Sequence, residues 1–572
     1  VAGAVAGLAA LTGCGPPQPT APAPTADEAD EPEWFQDVTD AWGFNFVHDP
    51  GPVGTYFTPQ SMGSGVAVFD FDGDGLLDVY MLNFGGPTSK SVNRLFRQVS
   101  PGKFQDVTDG SGLGVGGYSH GVAVGDVNND GKPDVLLTQF DGIKLFLNAG
   151  EGKFVEVAAQ ESGLLNLSWG MSAAFLDYDR DGWLDLVVVN YLDFDPTKEC
   201  WSLTGVRDYC GPRHFSAVTS KLFHNLGRTP PAPGKPAGVR FKDVSFESGI
   251  GRVKGAGLGV VCADFHSDGK AGVWPDIFVA NDGDPNRMWI NQRNGTFVDE
   301  AMSRGAAYTS MGKAYAGMGV AVGDVNNDGM LDLYVTHLGA ETNNLWVQGP
   351  RGQFHDRTVE SGLTALKWRG TGWGTVMADF NHDGWVDLAV ANGRVFRGGD
   401  ARDTGMGFWE TYAEKNQIIA NDGTGKFRDV STSNKALCGY WNVARGLVCA
   451  DFDNDGAMDL LVATLGGKAR LFRNVAPKRG HWLKVRAVDP KLNRDAYGAE
   501  VRVKVGGGEK FRVINPAESY LCSGAPIAHF GLGAADRYES VRVAWPDGYN
   551  EAFPGGEADR PLVLVRGEGK PQ

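Results

Sequence analysis

Short apolar runs of β character alternate along this chain with acidic, glycine-centred loops. The runs come in pairs. VAVFD and LDVYMLN, VAVGD and PDVLLTQ, and AAFLD and LDLVVVN flank the first three loops, and the series continues to LVCAD and MDLLVAT around residue 455. Each run is too short for an ordinary helix and rich in β-branched residues, which predicts strands. A third run follows, as in KLFLN, KLFHN, RMWIN, NLWVQ, QIIAN and RLFRN. A fourth opens with Phe-x-[Asp/Glu] after a glycine turn, as in FQDVT at 104, FVEVA at 154, FKDVS at 241, FVDEA at 297, FHDRT at 354 and FRDVS at 427. Four short strands per repeat, evenly punctuated, predict the blade of a β-propeller.

The loops carry the chemistry. The pattern Asp-x-[Asp/Asn]-x-Asp-Gly-x-x-Asp, or a near relative, starts at Asp70, Asp126, Asp177, Asp264, Asp324, Asp379 and Asp451. Side-chain oxygens at positions 1, 3 and 5 converge on a hard cation, glycine at position 6 permits the reversal, position 7 offers its carbonyl, and position 9 closes the cage. The expected calcium ligands are therefore Asp70, Asp72, Asp74 and Asp78; Asp126, Asn128, Asp130 and Asp134; Asp177, Asp179, Asp181 and Asp185; Asp324, Asn326, Asp328 and Asp332; Asp379, Asn381, Asp383 and Asp387; and Asp451, Asp453, Asp455 and Asp459. An EF-hand would place a bidentate Glu at position 12, where the first loop has Met81 inside a β-type run. The fourth loop departs from the pattern: His266 stands at position 3 and four residues are inserted before Asp276. Histidine suits a hard, oxygen-seeking ion poorly, so Asp264, Asp268 and Asp276 are expected to bind weakly, and about six calcium ions in all are expected.

The ends of the repeat array predict how it closes. A fourth-strand motif, Phe35 to Thr39, precedes the first loop without a blade of its own, and none follows Arg470 to Asn474. The N-terminal strand can then complete the last blade and leave no free edge at the seam. The expected fold is all-β: a seven-bladed propeller over residues 34–476, followed by a small β-sandwich-like domain over 480–567, where HWLKVRAV, AEVRVKVGG, FRVINPA and SVRVAWPDG alternate in polarity.

At 572 residues the chain exceeds one ordinary domain. Its net charge of −16 argues against a nucleic-acid partner. The seven loops hold 24 aspartates; without them the charge would be +8, so the acidity is mostly that of the expected metal ligands. Residues 1–14 read as a truncated lipoprotein signal. An apolar run leads to Leu11-Thr12-Gly13-Cys14, which resembles a lipobox with Cys14 as the lipidated residue. Residues 15–33, rich in Pro, Ala and Thr and then acidic, read as a tether. The expected location is extracytoplasmic, lipid-anchored to a bacterial cell envelope (outer membrane or cell surface), with membrane contact only through the anchor. Cys200 and Cys210 share one loop and suit a local disulfide in an oxidising compartment. Cys262 and Cys449 read as buried thiols, and Cys438 and Cys522 have no evident partner.

The repeats resemble FG-GAP/VCBS repeats, and the order of motifs resembles the cartilage acidic protein family. The supporting segments include NYLDFDPTKEC (190–200), VANDGDPN (279–286), AGMGVAVGD (316–324) and TGWGTVMADF (371–380). NRDAYGAEVRV (493–503), HFGLG (529–533) and VAWPDG (543–548) resemble an ASPIC/UnbV domain. The resemblance implies a calcium-bearing extracellular propeller and no established reaction.

No catalytic constellation stands out: the chain has no Gly-x-Ser-x-Gly elbow, His-Glu-x-x-His or P-loop. Two long insertions, Tyr191 to Ser220 and Arg394 to Asn416, leave strand junctions that should face away from the acidic loops. Long loops on a rigid scaffold are where binding commonly lives. The expected ligand face carries Trp201, Tyr209, Asp282, His337, Glu341, Arg394 and Trp409. The function expected is a monomeric recognition or adhesion module for a protein or glycan. The alternative is a polysaccharide lyase, which would need a base and cationic groups for a uronate, with His337, Arg394, Arg397 and Arg402 as candidates.

Overall fold

The computed structural model describes residues 32–202, 204–231, 236–266, 273–398, 404–477 and 479–572. Cys14, the tether as far as residue 31, Asp268 and Arg402 lie outside the described residues. Seven four-stranded antiparallel units dominate the chain, numbered here 1 to 7 with the loops they carry. Unit 1 runs through Val66–Phe69, Asp78–Met81, Arg94–Ser100 and Lys103–Asp106. The first strand of every unit lies beside the first strands of two others, and the series returns from unit 7 to unit 1, so the arrangement is a closed, propeller-like ring. Its seam is made as the repeat arithmetic requires: Phe35, Gln36 and Asp37 pair with Asn474, Arg473 and Phe472.

A circle of hydrogen bonds ties each unit to the one before it. The third strand ends in Asn or Gln, and its amide reaches the carbonyl of the second residue of the preceding loop. Asn148 donates to Phe71, Asn225 to Val127, Asn291 to Tyr178, Gln348 to Phe265, Asn421 to Val325 and Asn474 to Phe380, at 2.7–3.0 Å. At unit 1 the backbone takes over, with the Gly102 amide donating to the Phe452 carbonyl. Six side chains and one amide thus stitch the acidic loops together around the ring.

The C-terminal region forms two sheets packed on a common core that includes Val485, Val501, Phe530 and Trp545. It does not hang from the ring. A hairpin from it, Ala517–Glu518 against Cys522–Ser523, enters the centre of the ring. Ser523 pairs with Ala67 of unit 1, Ser519 bridges Val320 of unit 5, and the Ser519 hydroxyl accepts the Thr375 amide of unit 6. At the tip, Tyr520 is fully buried, packs on Trp373, and donates its hydroxyl to the Met62 carbonyl.

This hairpin and the crowding of the first strands around it explain a glycine that recurs at the start of the first strands. Five residues before the first aspartate of each loop stands Gly65, Gly121, Gly259, Gly319, Gly374 or Gly446. A Cβ at Gly65 would lie 2.5 Å from the Leu521 carbonyl oxygen, and one at Gly319 would lie 2.0 Å from that of Trp373. Unit 3 alone has a side chain there, and Ser172 uses it: its hydroxyl accepts the Leu521 amide at 3.3 Å.

Candidate functional site

The acidic loops share one preformed geometry. In loop 1, Asp70 Oδ1 accepts the Gly73 and Asp74 amides and Oδ2 accepts that of Gly75, at 2.7–3.1 Å. Position 4 takes a left-handed φ of 53–78° (Gly73, Asn129, Arg180, Asn327, His382, Asn454), and so does the glycine at position 6, a conformation with little penalty only for Gly and tolerable for Asn. The aspartate at position 9 is buried in every loop and pins two places at once. Asp78 accepts the Phe71 amide of its own loop and the Gln98 amide of the third strand, and Asp134, Asp185, Asp276, Asp332, Asp387 and Asp459 repeat the pattern.

Several of these clusters could hold a metal ion. Ligand atoms of Asp70, Asp72 and Asp78, of Asp177, Asp179 and Asp181, and of Asp451, Asp453 and Asp459 fall within 4.8 Å of one another. Without a cation, such burial is costly for ionised carboxylates. Burial lifts Asp78 and Asp185 to about 8 and Asp177 and Asp379 to about 7, and neighbouring loop carboxylates add to the rise.

The third strands contain a compensation that sequence reasoning missed. Loops 1, 3 and 7 have aspartate at position 3, and each receives a cationic side chain from the residue just before the third-strand Asn or Gln. Arg97 reaches Asp72 and Asp74 at 2.6 and 2.9 Å, and Arg473 reaches Asp453 and Asp455 at 2.6 and 3.2 Å. His224 lies 3.0 Å from Asp185 and 3.5 Å from Asp179, and its hydrogen bond to Asp185 raises its pKa. Loops 2, 5 and 6 have asparagine at position 3, and there the same residue is Leu147, Val347 or Ala420. In loops 1, 3 and 7 the extra carboxylate at position 3 is thus met by a third-strand side chain that the other three loops lack. The signal was present in RLFRQ, KLFHN and RLFRN, beside the amides that join the units.

Loop 4 differs again. His266 Nδ1 lies 2.7 Å from Asp276 and 3.4 Å from Asp264, and this charge and hydrogen bond raise its pKa although burial opposes them. A histidine therefore takes the place of a carboxylate oxygen among the ligands of this loop.

The C-terminal domain covers the loop face and reads the loops through one repeated atom, the carbonyl of the position-6 glycine. Arg494 donates to Gly182, Arg502 to Gly329, Lys510 to Gly384 and His529 Nε2 to Gly456, at 2.6–3.2 Å. Lys484 also forms a buried ion pair with Asp451.

On the opposite face the two insertions pack against each other. The Cys200–Cys210 disulfide closes the first. Asp208 accepts the Tyr412 hydroxyl and the Arg397 amide of the second, both at 2.8 Å. Tyr209 and Trp409, expected as exposed anchors, instead stack on each other and are buried with Tyr412, because joining the insertions requires an apolar core of its own. Trp201 remains 59% exposed. Burial raises Asp282 to about 6, with Glu341 and Asp284 contributing, while Tyr191 donates its hydroxyl to it. His337 is buried beneath Tyr315, and burial lowers its pKa to about 4. Arg394 is paired with Glu414 at 3.1 Å. The ion pair of Arg394 and the burial of His337 leave the lyase alternative without a specific observation. Cys262, Cys438, Cys449 and Cys522 are buried free thiols.

Comparison with known proteins fixes the family. An FG-GAP-like repeat model matches residues 70–137, 126–188, 273–335, 324–390 and 408–462, and the ASPIC and UnbV model matches 489–571. The chain is an FG-GAP repeat protein with a C-terminal ASPIC/UnbV domain. Among curated relatives of this FG-GAP protein, cartilage acidic protein 1 of Mus musculus is 26% identical over 517 residues, covering 86% of this chain and 71% of the relative. The Homo sapiens protein of that name is 25% identical over 517 residues, covering 86% and 70%. Solved structures that overlay on the FG-GAP chain include an Agrocybe aegerita lectin whose subject is recognition of non-reducing terminal N-acetylglucosamine (TM-score 0.38, 15% identity, 73% of this chain and 92% of that one). The BP39L lectin of Burkholderia pseudomallei overlays with TM-score 0.38 at 11% identity, covering 73% and 97%.

Proposed function

We propose that this protein is a calcium-stabilised, seven-bladed propeller that serves as a recognition or adhesion module for a protein or glycan at the cell envelope. Calcium follows from the donor set: carboxylate and amide oxygens in a loop of fixed spacing suit a hard cation. About six ions bind, one to each loop except loop 4, where His266 stands among the carboxylates. The ligand meets the face opposite the loops, since the ASPIC/UnbV domain covers the loop face. One observation carries that choice: the two long insertions are fastened to each other through Asp208 and an aromatic core, and they leave Trp201 outside it. Ordered exposed aromatics are favoured anchors for sugars and proteins alike. Lipidation at Cys14 places the module outside the cytoplasm, on the envelope, as a monomer.

A glycan array and a pull-down of envelope proteins, run with wild type and Trp201→Ala, test this reading. Loss of a bound species in the variant at unchanged melting temperature supports it. Equal binding by both proteins moves the ligand away from the joined insertions. Calorimetric titration of the metal-stripped chain tests the stoichiometry, and fewer than four calcium ions would refute the loop assignment.

A further inference from the structure

Between the loop face and the C-terminal domain lies a chamber of about 1060 Å³, which runs from loop 1 into the centre of the ring. It is within the size range of small-molecule sites, and both domains contribute its walls. Around its inner end stand Val124, Val322, Met377 and Cys449, each two residues before the first aspartate of its loop. The wall there is apolar. The domain grips loops 3, 5, 6 and 7 at their glycine carbonyls, whereas Asp72 to Gly75 of loop 1 are exposed, so the chamber meets the surface beside loop 1.

Most of the cations in the chamber are matched by carboxylates. Lys484 is paired with Asp451, Arg486 with Asp495 and Lys132 with Asp130. Arg494 lies 3.9 Å from Asp177, and Arg512 sits in the field of Asp324 and Asp379. Glu518, on the inserted hairpin, lines the inner end near Cys449. The Glu518 side chain is half-buried and forms no ion pair or side-chain hydrogen bond with another described residue, and burial raises its pKa to about 8. A carboxyl beside an apolar wall without a protein donor is unfavourable.

We propose that the chamber binds a primary alkylammonium compound, with the apolar stem against Val322, Met377 and Cys449 and the ammonium group on the Glu518 carboxylate. The ammonium supplies the donors and the charge that Glu518 lacks, and the stem displaces water from the apolar wall. A neutral alcohol of the same length supplies only the second effect, and an alkanoate is repelled. This site is separate from the face on which Trp201 lies, so either can fail without the other.

The test uses the full chain with calcium and three probes, hexylammonium, 1-hexanol and hexanoate, measured by ligand-observed NMR titration. Wild type is expected to bind hexylammonium at least tenfold more tightly than 1-hexanol. Glu518→Gln, isosteric and uncharged, should bring the two within twofold. Met377→Trp, which fills the chamber while keeping Glu518, should weaken both at least tenfold. Equal affinity of the ammonium and the alcohol in wild type would overturn the proposal, and so would a tenfold preference retained in Glu518→Gln. If that variant does not fold, the wild-type preference together with Met377→Trp decides: a preference that survives filling of the chamber places the ammonium elsewhere.

Discussion

Loops 1, 3 and 7 carry aspartate at position 3, loops 2, 5 and 6 carry asparagine, and the third strand beside each loop changes with that choice. In the first group an extra carboxylate is met by Arg97, His224 or Arg473; in the second both the carboxylate and the cation are absent. What is kept is the coupling of an aspartate at position 3 to a third-strand cation, not either residue alone. Loop 4, with a histidine among its carboxylates, stands outside both groups.

Metal removal should have the largest effect, because it acts on both groups together. An ion present at a hundredfold its Kd stabilises by about 2.7 kcal/mol per site. EDTA treatment of the metal-loaded protein is expected to lower the melting temperature by about 10 °C or more, seen by differential scanning calorimetry; an unchanged melt would mean that neither group holds an ion.

The metal-free protein should next show a pH dependence of definite sign. Asp78 and Asp185 have folded-state pKa values of about 8, raised by burial, against about 4 for an unfolded aspartate. The folded chain therefore retains protons that the unfolded chain sheds, so the stability these groups contribute is full below about pH 4 and is lost as pH rises through about 8. In EDTA, melting temperature should fall between pH 5 and pH 8. In calcium it should hold nearly level over that range, and parallel curves would contradict the assignment of these carboxylates to a metal.

Much of this arrangement could be read from sequence, and the remainder could not for identifiable reasons. The spacing of the acidic loops and the unpaired motif at Phe35 follow from repetition, so the ring and its seam were legible. The length of their loops puts Tyr209 and Trp409 on the expected ligand face, but two long loops can bury aromatics against each other, and composition carries no trace of that choice. The inserted hairpin has no counterpart in any repeat, so nothing in the periodicity announces it. A hint lay in the charge of +8 that remains once the loop aspartates are set aside, some of which proves to be Lys484, Arg494, Arg502 and Lys510 facing those same loops.

Single and paired substitutions sharpen the comparison between the two kinds of loop. Asp72→Asn alone leaves loop 1 at −2 and should weaken its ion about tenfold, the size expected for one charge a few ångströms away in a solvated site. Adding Arg97→Leu restores −3 and should recover affinity to within twofold, measured by calorimetric titration. Failure of the double variant to recover would show that Arg97 acts by packing rather than by charge. The converse exchange in loop 5, Asn326→Asp with Val347→Arg, should have the smallest effect, since its charges cancel; a shift beyond threefold in either direction would show that the aspartate and the third-strand cation do not compensate each other.

The hairpin at the centre of the ring has a mechanical consequence. Two domains joined by a short connection can usually swing about it. Here a strand pair standing on the axis, with left-handed Ser519 and Leu521 at its turn and Tyr520 wedged under Trp373, resists both tilting and rotation. The remaining way apart is withdrawal along the axis, which must break the bonds to several units together. A pulling force applied between the two domains should accordingly be resisted as a single event with no softer hinge motion before it.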